Sequence, residues 1–158
     1  MLLLQLLLWH HSLMVYRLEQ TVGFSIYRVA MRLRHELTQR LTEYDLTSEQ
    51  FAILARLWEE DGMCQRALAE RILKDRPNVT RMLDKLQAKG LVVRRPDLDD
   101  RRAFHVCLTE SGRALEKTLL PVVERLRRTA YQGISENQQQ QLKRLLNKVF
   151  DNLENNAH

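Results

Sequence analysis

At 158 residues the chain is long enough for one domain with a real core, or for a small domain with an oligomerisation region attached. Its 44% hydrophobic and 28% charged residues, with only 5 Gly and 3 Pro, describe a globular and mostly helical protein. The 2 cysteines, Cys64 and Cys107, make neither a zinc pattern nor a secreted disulfide framework, and no apolar run is long enough to span a membrane, so a reducing cytoplasm is the expected compartment.

The net charge of +5 is modest as a total but unevenly placed. Between residues 62 and 109, eleven Lys/Arg stand against six Asp/Glu, while the rest of the chain carries fourteen of each sign. The whole excess lies in one segment, as an electrostatic footprint for phosphates requires.

Residues 1–12 are mostly apolar, but they lack a positively charged start and an A-x-A-like cleavage site, and so make a poor signal peptide. Three readings stand: an extension of the first helix into a dimer interface, a disordered apolar tail, or translated upstream sequence with Met14 as the natural start. Residues 16–44 then read as one long helix, with Ile26, Ala30, Leu33, Leu37 and Leu41 along a stripe. Asp45-Leu46 breaks it. Thr47-Ser48-Glu49-Gln50 is a capping box, with Leu46 and Phe51 placed as its hydrophobic staple. The next helix runs to about residue 60, burying Phe51, Leu54, Leu57 and Trp58, and Asp61-Gly62 ends it.

The most informative stretch is 63–112: a short helix beginning at Cys64, a turn, a second helix, then two short strands joined by a charged loop. In the second helix Val79, Met82, Leu83 and Leu86 recur at i, i+3, i+4, i+7, so one face is buried. Asp75 suits its N-cap, Pro77 its first turn, and Gly90 its stop. The opposite face carries Arg76, Asn78, Thr80, Arg81, Asp84 and Lys85, hydrogen-bonding groups of the kind a major-groove reader needs. Residues 91–95 read as a strand and 96–102 as a loop, after which Phe104, Val106 and Leu108 alternate with His105 and Cys107, the period of a half-buried strand. Beyond Gly112 a helix with Leu115, Leu119, Val122, Val123 and Leu126 on one stripe is expected to kink at Pro121. Gly133-Ile134 breaks it, Ser135-x-x-Gln138 is a second capping box, and Leu142, Leu145, Leu146, Val149, Phe150 and Leu153 mark a last amphipathic helix. Periodicity alone allows these terminal helices to build a dimer or a monomeric bundle.

Helix, helix, and a hairpin with an arginine-tipped loop outline a winged helix-turn-helix. The run Asp100-x-Arg102-Ala103-x-x-Val106-x-Leu108-Thr109-x-x-Gly112 resembles the MarR family of bacterial transcriptional regulators. So do Leu68-Ala69-Glu70-Arg71 and Val79-Thr80-Arg81-x-Leu83-Asp84-x-Leu86 upstream, and the order of elements matches over roughly residues 18–153. The resemblance implies a mainly α fold with a small β-hairpin wing. An N-terminal segment and dimerisation helix would occupy 1–46, the winged helix-turn-helix 47–110, and C-terminal dimerisation helices 111–158. It further implies a homodimeric, sequence-specific DNA-binding regulator, most often a repressor, on a near-palindromic operator in double-stranded DNA, with no cofactor. Arg76, Asn78, Thr80, Arg81 and Lys85 would face the major groove. Arg102, with Arg101, would reach the minor groove from the wing tip, oriented by Asp100. Gln65, Arg66, Arg94 and Arg95 are the candidates for phosphate contacts, which position without specifying. Many relatives respond to small aromatic acids or phenols in a cleft between dimerisation helices and reader. Phe24, Tyr27, Arg28 and Trp58 are the candidates for lining one here, although core packing explains the three aromatics equally well.

Cys64 stands where a capping Ser or Thr is common in the family, and a thiol at a helix N-terminus raises the alternative of a redox-sensing regulator. Peroxide-sensing relatives carry their cysteine near the start of the first long helix, where this chain has none. An enzyme is disfavoured: there is no Gly-rich phosphate loop, H-E-x-x-H or nucleophile elbow, and His10, His11, His35, His105 and His158 form no metal-ligand spacing. A winged-helix module meeting an acidic protein is the remaining rival.

Overall fold

The computed structural model describes residues 17–97 and 104–156, which fall into two units, Met1–His35 and Glu36–His158. In the first, a 3-10 turn at Leu18–Gln20 is followed by helix α1, Val22–Leu41, whose last turn and a half belongs to the second unit. The single helix expected over 16–44 is thus interrupted at Thr21. The Thr21 hydroxyl accepts from the Phe24 N–H (3.1 Å) and donates to the Leu18 carbonyl (2.8 Å), so it caps one segment while closing the other. At the far end α1 tightens into a 3-10 turn, Thr42–Tyr44, and Asp45 reverses the chain with φ of 52°.

Helix α2, Ser48–Glu59, begins with the capping box read from sequence: Thr47 Oγ1 accepts from the Gln50 N–H (3.2 Å) and Gln50 Oε1 accepts from the Thr47 N–H (3.1 Å). This reciprocal bonding explains how Gln50 is buried without an unsatisfied polar atom. The buried stripe is Ile53, Leu54 and Leu57, while Phe51 and Trp58, expected inside, are half-buried at its margin.

Strand β1 (Met63–Cys64), helix α3 (Gln65–Arg71), helix α4 (Arg76–Ala88), strand β2 (Val92–Pro96) and strand β3 (Phe104–Leu108) follow. The sheet has three antiparallel strands in the order β1-β3-β2, not the two expected. The added strand pairs Met63 with Val106 and Cys64 with His105. Two residues are too few for an alternating signal, so only pairing reveals them. Val106 and Leu108 point into the core, but Phe104 is exposed, because its partner is Pro96 at the end of the hairpin arm where the core no longer reaches. Leu41, Leu54, Leu57, Leu68, Val79, Leu83, Leu86, Val92, Val106 and Leu119 close a single core beneath these elements.

Thr109 caps helix α5, Glu110–Ala130, which continues through Pro121 and buries Leu119, Val122 and Leu126. Gly133 turns the chain with φ of 79°, and Ser135 opens helix α6, Glu136–Asn155, with the second capping box. No residue of α6 is buried, and its stripe from Leu142 to Leu153 is exposed. Among the described residues no helix is long and apolar enough to cross a membrane.

Candidate nucleic-acid interface

The start of helix α4 is set by the turn that precedes it. The Leu73 N–H bonds the Glu70 carbonyl (3.2 Å) and the Lys74 N–H bonds the Ala69 carbonyl (3.1 Å), a Schellman ending of α3 with Leu73 in the left-handed region at φ of 54°. Asp75 then caps α4: its Oδ1 accepts from the Asn78 N–H (2.8 Å) and its Oδ2 from the Asn78 side-chain amide (2.6 Å). These two bonds, the backbone one first, hold the Asp75 carboxyl below its ordinary pKa. Val79, Leu83 and Leu86 are fully buried beneath the helix, which fixes the direction of its other face.

That other face is ordered as well as polar. Asn78 Oδ1 accepts from the Arg81 guanidinium, so Asp75, Asn78 and Arg81 form one hydrogen-bonded chain along the exposed side. The Thr80 hydroxyl donates to the Arg76 carbonyl (3.0 Å) and accepts from Gln65 Nε2 (2.7 Å), which links the start of α3 to the middle of α4. Arg76, Arg81, Lys85 and Arg95 are exposed, and Arg66 is exposed while pairing with Glu70 at 3.0 Å. Lys74, which sequence reading passed over, borders a groove of about 360 Å³ shared with Thr47, Glu49, Asn78, Arg81 and Lys85. Its position immediately before the Asp75 cap was the available signal.

Arg94 is placed differently from its neighbour Arg95. Its guanidinium reaches Asp84 (2.7 Å), the Thr80 carbonyl (3.2 Å) and Gln87 Oε1 (3.3 Å), and the side chain is 19% exposed. It therefore fastens β2 to α4, in contrast to the phosphate contact read from sequence. Asp100, Arg101 and Arg102, expected at the wing tip, lie outside the described residues. So do residues 1–16, with the apolar N-terminal stretch.

Of the residues suggested for an effector cleft, Phe24 and Tyr27 stack with centroids 6.3 Å apart and the Arg28 guanidinium lies 5.9 Å from the Phe24 ring, all in the first unit. In the second unit, the Trp58 indole N–H donates to the Gly112 carbonyl (2.9 Å) and its ring meets Phe51 edge-on at 5.9 Å. Cys64 and Cys107 are half-buried free thiols, and Cys64 Sγ takes the capping bond from the Ala67 N–H at 3.5 Å. Among the described residues no group of three His, Cys, Asp or Glu could hold a metal ion.

A short helix, a capped polar-faced helix and an antiparallel hairpin on one core define a winged helix-turn-helix protein. Comparison with known proteins gives the family. The MarR family model matches residues 46–104. A MarR-family transcriptional regulator from Silicibacter pomeroyi is 30% identical, with a TM-score of 0.76 over 90% of this chain and 94% of that one. MepR of S. aureus, solved as a DNA complex, is 26% identical, with a TM-score of 0.77 over 84% of this chain and 98% of that one. The HTH-type transcriptional regulator TtmR of Methylorubrum extorquens is 31% identical over 99 residues, 63% of this chain, which spans about half (51%) of that relative's length. The chain belongs to the MarR family of transcriptional regulators.

Proposed function

We propose that this protein is a cytoplasmic homodimer that binds a near-palindromic operator in double-stranded DNA and represses transcription until a small aromatic or phenolic effector releases it. The observation that carries the DNA-binding part is the exposed face of α4. Asn78, Thr80 and Arg81 on that face are held in advance by the Asp75–Asn78–Arg81 chain and the Gln65–Thr80 bond, above a fully buried stripe. Ordering before binding lowers the entropic cost of contact, and the surplus positive charge of the same segment supplies attraction to phosphates.

In this reading Arg76, Asn78, Thr80, Arg81 and Lys85 meet base edges in the major groove. Gln65, Arg66, Lys74 and Arg95 meet phosphates, Arg94 positions the hairpin, and Arg101 and Arg102, oriented by Asp100, enter the minor groove. A two-fold dimer places two copies of α4 in successive major grooves, so half-sites lie about one turn, roughly 10 bp, apart. The subunits join by mutually covering the apolar stripe of α6, a 20-residue helix with no buried side chain of its own. The effector part rests on the Phe24, Tyr27 and Arg28 cluster within the first unit, an aromatic pair beside a cation that suits a small aromatic acid.

The test is fluorescence anisotropy on the DNA upstream of the protein's own gene, across a salt series, with one half-site scrambled in the control. Binding that weakens steeply with salt and prefers the intact site supports the reading. Equal affinity for both DNAs removes sequence specificity, and no binding at low salt removes the DNA-binding function. Adding benzoate or a simple phenol to the formed complex tests release, and an unchanged anisotropy for every such compound removes the effector class.

A further inference from the structure

We propose that His105 is a proton-dependent latch, which as imidazolium ties the loop end of strand β2 at Asp97 to the turn at Gly62, and which gives up one of the two ties when it becomes neutral. The geometry is specific. Nδ1 lies 2.7 Å from the Gly62 carbonyl oxygen and Nε2 lies 2.7 Å from Asp97 Oδ2. A carbonyl and an ionised carboxylate can only accept, so both ring nitrogens must donate for both contacts to be hydrogen bonds. Only the imidazolium carries two N–H groups, and either neutral tautomer turns a lone pair towards one of these oxygens.

The position gives the latch its reach. His105 stands on the central strand β3, opposite Cys64 of β1 and Arg95 of β2. One ring therefore joins the turn entering β1 to the residue leaving β2, partners 43 and 8 positions away in sequence. The charged groups on the surrounding elements are largely engaged with one another. Asp61 pairs with Arg113 of α5 at 2.5 Å, Glu60 with Arg71 at 2.6 Å, and Arg66 with Glu70 at 3.0 Å. Asp97 favours the protonated ring, whereas partial desolvation of the ring opposes it. The bond to the Gly62 carbonyl first, and the Asp97 bond second, hold the imidazole above its ordinary value of 6.5. The stabilisation the latch contributes is thus present below the ordinary value of 6.5 and is lost as pH rises through the raised value.

Arg95 rides on the same hairpin arm, so closing the latch also steadies a residue assigned above to phosphate contact; this consequence rests on the DNA-binding reading, while the latch itself does not. The experiment uses the full-length protein free of DNA. Imidazole ¹⁵N shifts follow the protonation of His105, and amide protection factors of β2 and β3 are measured at pH 6 and pH 8. The expected result is a His105 midpoint above that of a free imidazole, with hairpin protection several-fold higher at pH 6 and no such difference in His105→Gln. Asp97→Asn should lower the midpoint, and it decides the matter if His105→Gln does not fold. A His105 midpoint at or below the ordinary value, or the same protection at both pH values in the wild type, overturns the proposal. Operator affinity measured at the same two pH values should fall several-fold from pH 6 to pH 8 in the wild type. Absence of DNA binding at both values would overturn the DNA-binding reading and leave the latch standing on the first two measurements.

Discussion

Arg81, Arg94 and Arg95 carry the same charge within one small region and have three different surroundings. Arg81 lies exposed on α4 with Asn78 orienting it, so it can offer a paired donor to guanine O6 and N7. Arg81→Ala should cost about 1–3 kcal/mol of operator binding and relax preference at one position per half-site, read by anisotropy against single-base variants. Arg95 is exposed on the hairpin arm, and Arg95→Ala should weaken every sequence alike while making the log–log salt slope shallower by about 1 per phosphate no longer neutralised. Arg94→Ala should leave that slope unchanged, since its guanidinium is already held by Asp84, Thr80 and Gln87. An unchanged slope for Arg95 with a changed one for Arg94 would reverse these assignments. Gly112 makes a different kind of residue-level argument. A Cβ there would lie 2.1 Å from the Leu91 carbonyl oxygen, which is backbone and already accepts from the Thr109 N–H. Gly112→Ala should therefore lower stability by about 1–3 kcal/mol, measured as a fall in the urea midpoint.

At the level of single elements, the ends of the helices decide more than their middles. Thr47, Asp75, Thr109 and Ser135 each place a side-chain oxygen on a backbone N–H three residues on, and each helix starts where that bond forms. The turn between α3 and α4 puts a leucine where the left-handed backbone favours glycine: Leu73 holds φ of 54° and is 70% exposed. Leu73→Gly would remove the clash of a Cβ in the left-handed region and lose little buried surface. It should raise the thermal midpoint by the equivalent of about 1 kcal/mol, somewhat offset by the greater freedom of glycine in the unfolded chain. A lower midpoint would mean that Leu73 packs more than its exposure suggests.

For the whole molecule, α6 poses the largest question, because twenty residues of helix carry six exposed apolar side chains from Leu142 to Leu153. A lone helix of this length is marginal in water, and most helical stability comes from packing of the apolar face. With a second copy as the partner, the double substitution Leu146→Glu, Phe150→Glu should shift the protein from dimer to monomer in sedimentation. Affinity for the two-half-site operator should fall with it, because one subunit reaches only half the contacts. A dimer that survives the double substitution would place the subunit interface elsewhere in the chain.

The elements readable from sequence are those whose cause is local. The capping boxes at Thr47 and Ser135, the Asp75 cap and the buried stripe of α4 all arise between residues three or four apart, so spacing alone was enough to place them. The polar face of α4 followed from the same periodicity, and with it most of the candidate site. Tertiary structure decided what depends on distant partners. Strand β1 exists only because residues 63 and 64 meet residues 106 and 105. Phe104 kept the alternating pattern but lies where the core has ended, and Thr21 broke a helix that its apolar spacing would have continued. Arg94 shares a strand face with the buried Val92, which turns it to α4 and away from solvent, while Arg95 alternates outward. The two acceptors of His105 are contributed by a turn and a strand end that only the folded sheet brings to one ring. Periodicity reports which face of an element is buried; what lies against that face is set by contacts far apart in the chain.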